Sequence, residues 1–279
     1  MVEKIKRLIW LWIQCIKAMR NITTIVPFFI YAILQLFVLY TLVNFVHSPF
    51  SGLLIPLIRK LFGEPALHYP VFFHILTPLY SQINIFLSGF LGIIVVGTAT
   101  HLFALNFRNY KPGLGQAFKM TIPKYGKLFV IWIIESVLTL LMIIGFPLVI
   151  NLLFQPDYVV SRITEFVGVF LGIAMASVFA YTTVLIVLAK KTIMESLSLT
   201  YFIFKKDTFT TVMLVAIPTF LYFPINYLTG KSIVLIPKFS PEIIATLLSI
   251  GIIISFFSSY FQIGTITRFY LLLIERKKR

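Results

Sequence analysis

Hydrophobic residues make up 59 % of this 279-residue chain and charged residues 12 %, with a net charge of +15. A soluble domain carries about 25 % charged residues, so an ordinary water-soluble fold is excluded and long apolar runs mark a polytopic membrane protein. Nucleic-acid binding is excluded as well, because no basic domain stands apart from the apolar runs to carry it.

The chain opens with an amphipathic segment. Within residues 3–21, Glu3, Arg7, Gln14, Lys17 and Asn21 fall three, four or seven apart, one polar stripe on a helix otherwise faced by Ile, Leu and Trp. Such helices lie in the membrane interface. Gln14, Lys17 and Arg20 break the apolar stretch and no small-residue cleavage site follows, so no cleaved targeting segment is read. The single cysteine, Cys15, cannot form an intrachain disulfide or a cysteine metal cluster.

Six segments have the roughly 20 apolar residues that a spanning helix needs: about 24–46, 79–105, 127–150, 164–189, 208–229 and 242–273. The fold class is all-α, with one transmembrane domain over 1–279. The loop 47–78 holds "SGLLIPLIRKLFG", another surface-lying pattern, and places His47, His68 and His74 near Glu64. Pro65 and Pro70 interrupt any helix aligning Glu64 with His68, and a metal-ligand motif is missing, so no metal and no cofactor are expected. Residues 113–126, opened by "KPGLG" and broken by Pro123, and residues 190–206, with Lys191, Glu195, Ser198 and Lys205 aligned, repeat the interfacial pattern.

Nineteen lysines and arginines fall on the side of the two termini and five on the other. By the positive-inside bias both termini are cytoplasmic, and the basic face should meet anionic lipid headgroups. "QAFKMTIPKYGKLFVIWIIES" and "ESLSLTYFIFKKDTFTTVMLVAI" both pass from an interfacial stretch through lysines into a span. Those spans end at Phe146-Pro147 and Phe223-Pro224. With the N-terminal segment as a third copy, this indicates a three-fold hairpin repeat.

"MESLSLTYFIFKKDTFTTVMLV" and the ending "TITRFYLLLIERKKR" resemble bacterial six-span proteins of the YciC-like family. They resemble equally the membrane domain appended to some glycerophosphodiester phosphodiesterases. The resemblance implies an integral protein of the bacterial cytoplasmic membrane. The phosphodiesterase barrel is not in the chain, so that activity is not carried over.

Inside span three stands one acid, Glu135, eight residues past Lys127 and thus about 12 Å into the helix. A charge at the bilayer centre costs about 2.5–3.5 kcal/mol. Arg268, eight residues before Arg276, falls at similar depth in span six. Two readings stand: the two residues pair, or Glu135 belongs to a proton or cation path. Ser255, Ser258, Gln262, Thr265 and Arg268 form a polar stripe along span six, either lining a hydrophilic cavity or making interhelical hydrogen bonds. Gly168, Gly172, Ala176 and Ala180 recur every four residues in span four, a close-packing face. Pro147, Pro218 and Pro224 are read either as kinks or as broken helices around a site. His101 near the end of span two is read as a packing group or a proton-sensitive one.

HExxH, GxSxG and the GxxxxGK[ST] phosphate loop are missing, and the two aspartates, Asp157 and Asp207, fall in loops on opposite sides. Enzyme chemistry is therefore not expected. The expected function is a non-enzymatic accessory protein of the envelope, meeting lipids, another membrane protein or a second copy. The alternative is a small transporter or channel-like protein using Glu135 and the span-six face.

Overall fold

The computed structural model describes residues 2–111, 113–154 and 157–277. The side chains of Tyr158, Arg276 and Lys277 and the last two residues of the basic ending lie outside that description. All regular structure among the described residues is helical. In chain order the α-helices are α1 (Val2–Ala18), α2 (Val26–Val43), α3 (Ser51–Phe62), α4 (Val71–Leu87), α5 (Ile93–Phe107), α6 (Leu114–Thr121) and α7 (Tyr125–Leu140). They continue with α8 (Phe146–Phe154), α9 (Tyr158–Phe179), α10 (Thr182–Leu188), α11 (Ile193–Lys206), α12 (Thr208–Thr229), α13 (Ser232–Lys238) and α14 (Ile243–Lys277). Two π-helical turns, Ser88–Gly92 and Leu141–Gly145, interrupt the second and third apolar runs.

Six helical runs are long and apolar enough to cross a membrane: Val26–Val43, Val71–Phe107, Leu114–Phe154, Val159–Leu188, Thr208–Thr229 and Ile243–Glu275. The protein is an all-α polytopic membrane protein, and span five coincides with its expected bounds. Spans two and three begin earlier than expected, at Val71 and Leu114. In both cases a proline is absorbed instead of ending the helix. Pro78 sits inside α4, and Pro123 is taken up by a 3-10 turn, Ile122–Lys124, between α6 and α7. His74 consequently lies on α4 and not in the preceding loop. Residues 114–121 fold back along α5, where the Thr121 side chain meets Gly97.

Local chemistry sets the helix starts. Asn21 caps the 3-10 turn Ile22–Thr24 that leads into α2. At α11, Thr192 accepts from the Glu195 amide while the Glu195 carboxylate accepts from the Thr192 amide, a reciprocal box that satisfies two otherwise orphaned donors. These bonds hold the Glu195 carboxyl below the usual carboxylate range.

The chain forms two compact units. The first comprises Met1–Pro27, Ile93–Thr219 and Tyr260–Arg279, and the second Phe28–Gly92 and Phe220–Ser259. In the second, Leu42, Phe45, Ile58, Leu76, Ile244 and Ile252 are among the buried side chains of one core. In the first, Leu11, Tyr181, Leu214, Ile266 and Phe269 form the main core, and Ile93, Leu128, Ile131 and Ile186 a smaller one.

Small residues decide how closely helices of the first unit approach. A side chain added at Gly168 would meet Pro147 Cγ at 2.9 Å and the Met142 and Ile143 carbonyl oxygens at 3.0 and 3.1 Å. One at Gly172 would press on the Ile143 side chain, with Cγ1 at 2.5 Å and Cδ1 at 2.8 Å, a clash that a change of the isoleucine rotamer can relieve. The face of α9 that carries these glycines is thus seated on α7, the π turn after it and α8. Gly264 of α14 leaves room for the Cys15 thiol and the Phe103 ring, whose Cζ lies 2.9 Å from where a Cβ would stand.

Backbone carbonyls cannot yield as a flexible side chain can. Gly168→Ala should therefore lower unfolding stability by about 2 kcal/mol, within the range for overpacking, and Gly172→Ala by clearly less. Thermal melts of both variants in lipid nanodiscs check the order.

Candidate functional site

Helix α1 docks on the first unit by one face. Leu8, Leu11, Cys15 and Ala18 are buried on one face. At the N-terminal half of that face, Arg7 Nη1 donates to Asp207 Oδ2 at 2.7 Å, and Lys4 Nζ lies 3.5 Å from Oδ1. Asp207 joins α11 to α12 and is only 8 % exposed. It accepts from the Thr210 hydroxyl at 2.8 Å and from the Thr210 amide at 3.4 Å, so it also caps the first turn of α12.

At the other end of α1, Thr24 shares a hydrogen bond of 3.1 Å with the Tyr260 hydroxyl, and Asn21 donates to the Asn106 side chain at 3.1 Å. Trp12 lies on Phe261, and Trp10 lies under the Arg268 guanidinium at 5.1 Å. Burial pushes the Cys15 thiol well above its ordinary range, so its nucleophilic thiolate is disfavoured.

The rest of α1 divides into two further faces. Ile5, Ile9, Ile13 and Ile16, at spacings of four, four and three, are 43, 55, 44 and 53 % exposed. The remaining sector carries Glu3, Lys6, Gln14 and Lys17. One helix thus offers a protein-docked face, an outward apolar face and a polar face.

Glu135 and Arg268 both belong to the first unit, and the expected pair between them does not form. Arg268 Nη1 is 3.5 Å from Glu275 Oε1, and its guanidinium is sandwiched near Trp10 and Phe107, 5.1 and 5.5 Å from the ring centres. An acid nearly two turns along its own helix and two aromatic faces take the place in which Glu135 was expected. Among the described residues Glu135 has neither a hydrogen-bond nor an ion-pair partner. One turn further on, the buried Thr139 hydroxyl is also unpartnered.

The span-six stripe is divided: Ser255 and Ser258 belong to the second unit, Gln262, Thr265 and Arg268 to the first. Thr265 is fully buried and spends its hydroxyl on the Phe261 carbonyl, 2.7 Å away in its own helix. Ala176 and Ala180 continue the glycine face of α9 and pack on the main core of the first unit. His101 is nearly buried, with the Lys124 ammonium 3.4 Å from its Nε2. That lysine donates to the Val187 carbonyl at 2.5 Å, capping the last turn of α10.

An open hollow of about 690 Å³ lies against the π turn, α8 and α9. It is lined by Ile143, Ile144, Pro147 and Leu148, with Asn151 and Glu165 as polar members. Glu165 is paired to Arg162 at 2.8 Å. In the segment between α3 and α4 Arg59 Nε binds the Glu64 carboxylate at 2.5 Å, and among the described residues no group of three or more His, Cys, Asp or Glu could hold a metal.

A second polar setting went unread in the sequence. In the second unit, Gln35 of α2 is buried and donates to Asn84 Oδ1 of α4 at 2.7 Å, and the hydroxyls of Tyr31, one turn before Gln35, and Ser88, one turn after Asn84, both lie beside Gly92. The signal was available as matching steps of four: 31 and 35 on one helix, 80, 84 and 88 on the other.

Compared with protein-family models, curated proteins and solved structures, the chain matches none. Six spanning helices and an anchored N-terminal helix define it as a multi-pass integral membrane protein.

Two outcomes follow. Glu135→Gln and Arg268→Gln should affect melting independently, with a coupling under about 0.5 kcal/mol in a double-substitution cycle. Asp207→Asn should cost about 2 kcal/mol, the scale of a charged hydrogen bond. It should also raise the maleimide labelling rate of Cys15, which is slow in the wild type, by loosening α1.

Proposed function

We propose that this protein is a non-enzymatic, lipid-associated accessory protein of a bacterial cytoplasmic membrane, with both termini on the cytoplasmic side. The observation that carries the reading is the three-faced α1. A row of four exposed isoleucines is costly in water and is accommodated at the boundary of headgroups and acyl chains. Lys6, Lys17 and Arg20 border that row, suiting anionic phosphate headgroups. The Asp207 anchor fixes the rotation of α1, so the isoleucine face is presented by design of the fold and not by chance. The apolar hollow beside α8 suits an acyl chain. The resemblance of residues 194–215 and 265–279 to the YciC-like six-span proteins agrees with this assignment.

A second reading is favoured by one observation, the unpartnered Glu135 beside the unpartnered Thr139. Intramembrane acids commonly serve ion or solute paths, and on this reading the chain is a small transporter.

Mass spectrometry of the protein released in native lipid patches separates them. Anionic phospholipid should stay bound to wild type and to Glu135→Gln, and fall at least threefold in a Lys6→Gln/Lys17→Gln/Arg20→Gln variant. Retention of zwitterionic lipid alone overturns the lipid reading. A small solute or cation held by wild type and lost only from Glu135→Gln establishes transport instead.

A further inference from the structure

Helix α4 carries a polar face through an apolar span. His74, Thr77, Ser81, Asn84 and Ser88 fall within one third of its circumference, and Tyr80 stands at the edge next to the core. The half of this face towards Ser88 is satisfied, by Gln35 on Asn84, with the Tyr31 and Ser88 hydroxyls both beside Gly92. The half towards the start of the helix is not. His74 Nδ1, Thr77 Oγ1 and Tyr80 Oη are buried and have no hydrogen-bond partner.

Thr77, like Thr98, Thr139, Thr200 and Thr267, lacks the bond to its own helix that the threonines at 41, 100, 164, 219 and 265 make to the carbonyl four residues earlier; what sets it apart is that His74 and Tyr80 beside it are unpartnered too. Pro78 adds to the deficit, since it has no amide to give the His74 carbonyl. Tyr80 is 3 % exposed, and Tyr31 and Tyr222 lie within electrostatic reach of its hydroxyl. Tyr222 also lies against Gly251, its hydroxyl 3.5 Å from where a Cβ would be. All these residues belong to the second unit.

Buried polar atoms are nearly always paired, with protein or with bound water, and each orphan costs about 1–3 kcal/mol. Three of them within six residues, about 9 Å of helix, form a line that starts at half-buried His74 and ends at buried Tyr80. Its members are hydroxyls and an imidazole, which both donate and accept. Among the described residues no Asp, Glu, Lys or Arg side chain bonds to them, so the chemistry suits a neutral hydrogen-bonding molecule and not an ion. Phenol, hydroxyl and carbonyl groups together supply the two to four partners that a bound water requires.

We propose that the second unit holds a file of bound water along α4, running from His74 past Thr77 to the hydroxyls of Tyr80, Tyr222 and Tyr31. This site is separate from the lipid-facing surface of α1 and does not depend on either functional reading. It makes the second unit a place where a polar path reaches into the apolar span.

X-ray hydroxyl-radical footprinting in native lipid patches tests it, because bound water oxidises the buried side chains it touches. Tyr80 and Tyr222 should be oxidised at least threefold faster than Tyr181, which is fully buried and paired with Thr211. Thr77→Val should lower the Tyr222 rate threefold or more, and Thr77→Val/Tyr80→Phe should do the same. Rates at Tyr80 and Tyr222 no higher than at Tyr181 overturn the proposal from wild-type protein alone. Fast wild-type oxidation that Thr77→Val leaves unchanged overturns the path along α4.

Discussion

One carboxylate organises the docking of α1 on the first unit. Asp207 takes Arg7 and Lys4 from α1, caps α12 through Thr210 and closes α11, all while nearly buried. Two cations and two local donors around one acid compensate its desolvation in a way that a single pair would not. The anchor lies two hundred residues from Arg7 in sequence, so it orders the N-terminal helix only after α11 and α12 are in place. The rotation it imposes also sorts the two apolar faces of α1: the leucine face is buried against the protein and the isoleucine face is turned outward.

Polar groups inside the spans fall into distinct chemical situations. Most threonines bend back to their own helix and are inert. Gln35 with Asn84, and Tyr181 with Thr211, join neighbouring helices through single hydrogen bonds. Arg268 is neutralised near the end of its helix by Glu275 and cushioned by aromatic rings. Thr139 and the His74, Thr77 and Tyr80 groups of α4 are buried with no hydrogen-bond partner among the described residues, as are Thr98, Thr267 and the Arg268 Nε. Functional interest in a membrane protein concentrates where this pairing fails.

Apolar length was enough to read the six spans, because a bilayer demands it. The glycines at 168 and 172 were likewise readable as a contact face from their spacing. The start of span three was misread at Pro123, a proline taken for a break that a 3-10 turn absorbs, and span two was begun at 79, eight residues inside a helix that carries Pro78. The Glu135–Arg268 pair failed for a different reason. Equal depth in two helices says nothing about azimuth, and Glu275 was closer to Arg268 in its own chain neighbourhood. Asp207 was passed over because a loop aspartate among polar residues carries no mark of burial until a distant arginine reaches it. The face of α4 was hidden by splitting it between a presumed loop and a span.

The π turn after α7 has a mechanical consequence. It widens the helix so that the carbonyls of Met142 and Ile143 are turned to Gly168, leaving α9 no clearance to slide or roll. Interlocked backbones of this kind behave as a cog in its rack. Any working motion of the first unit must carry α7, the π turn and α9 together as one lever, and bending is left to the joints at its ends: the 3-10 turn before α7 and the Ala180–Tyr181 break after α9.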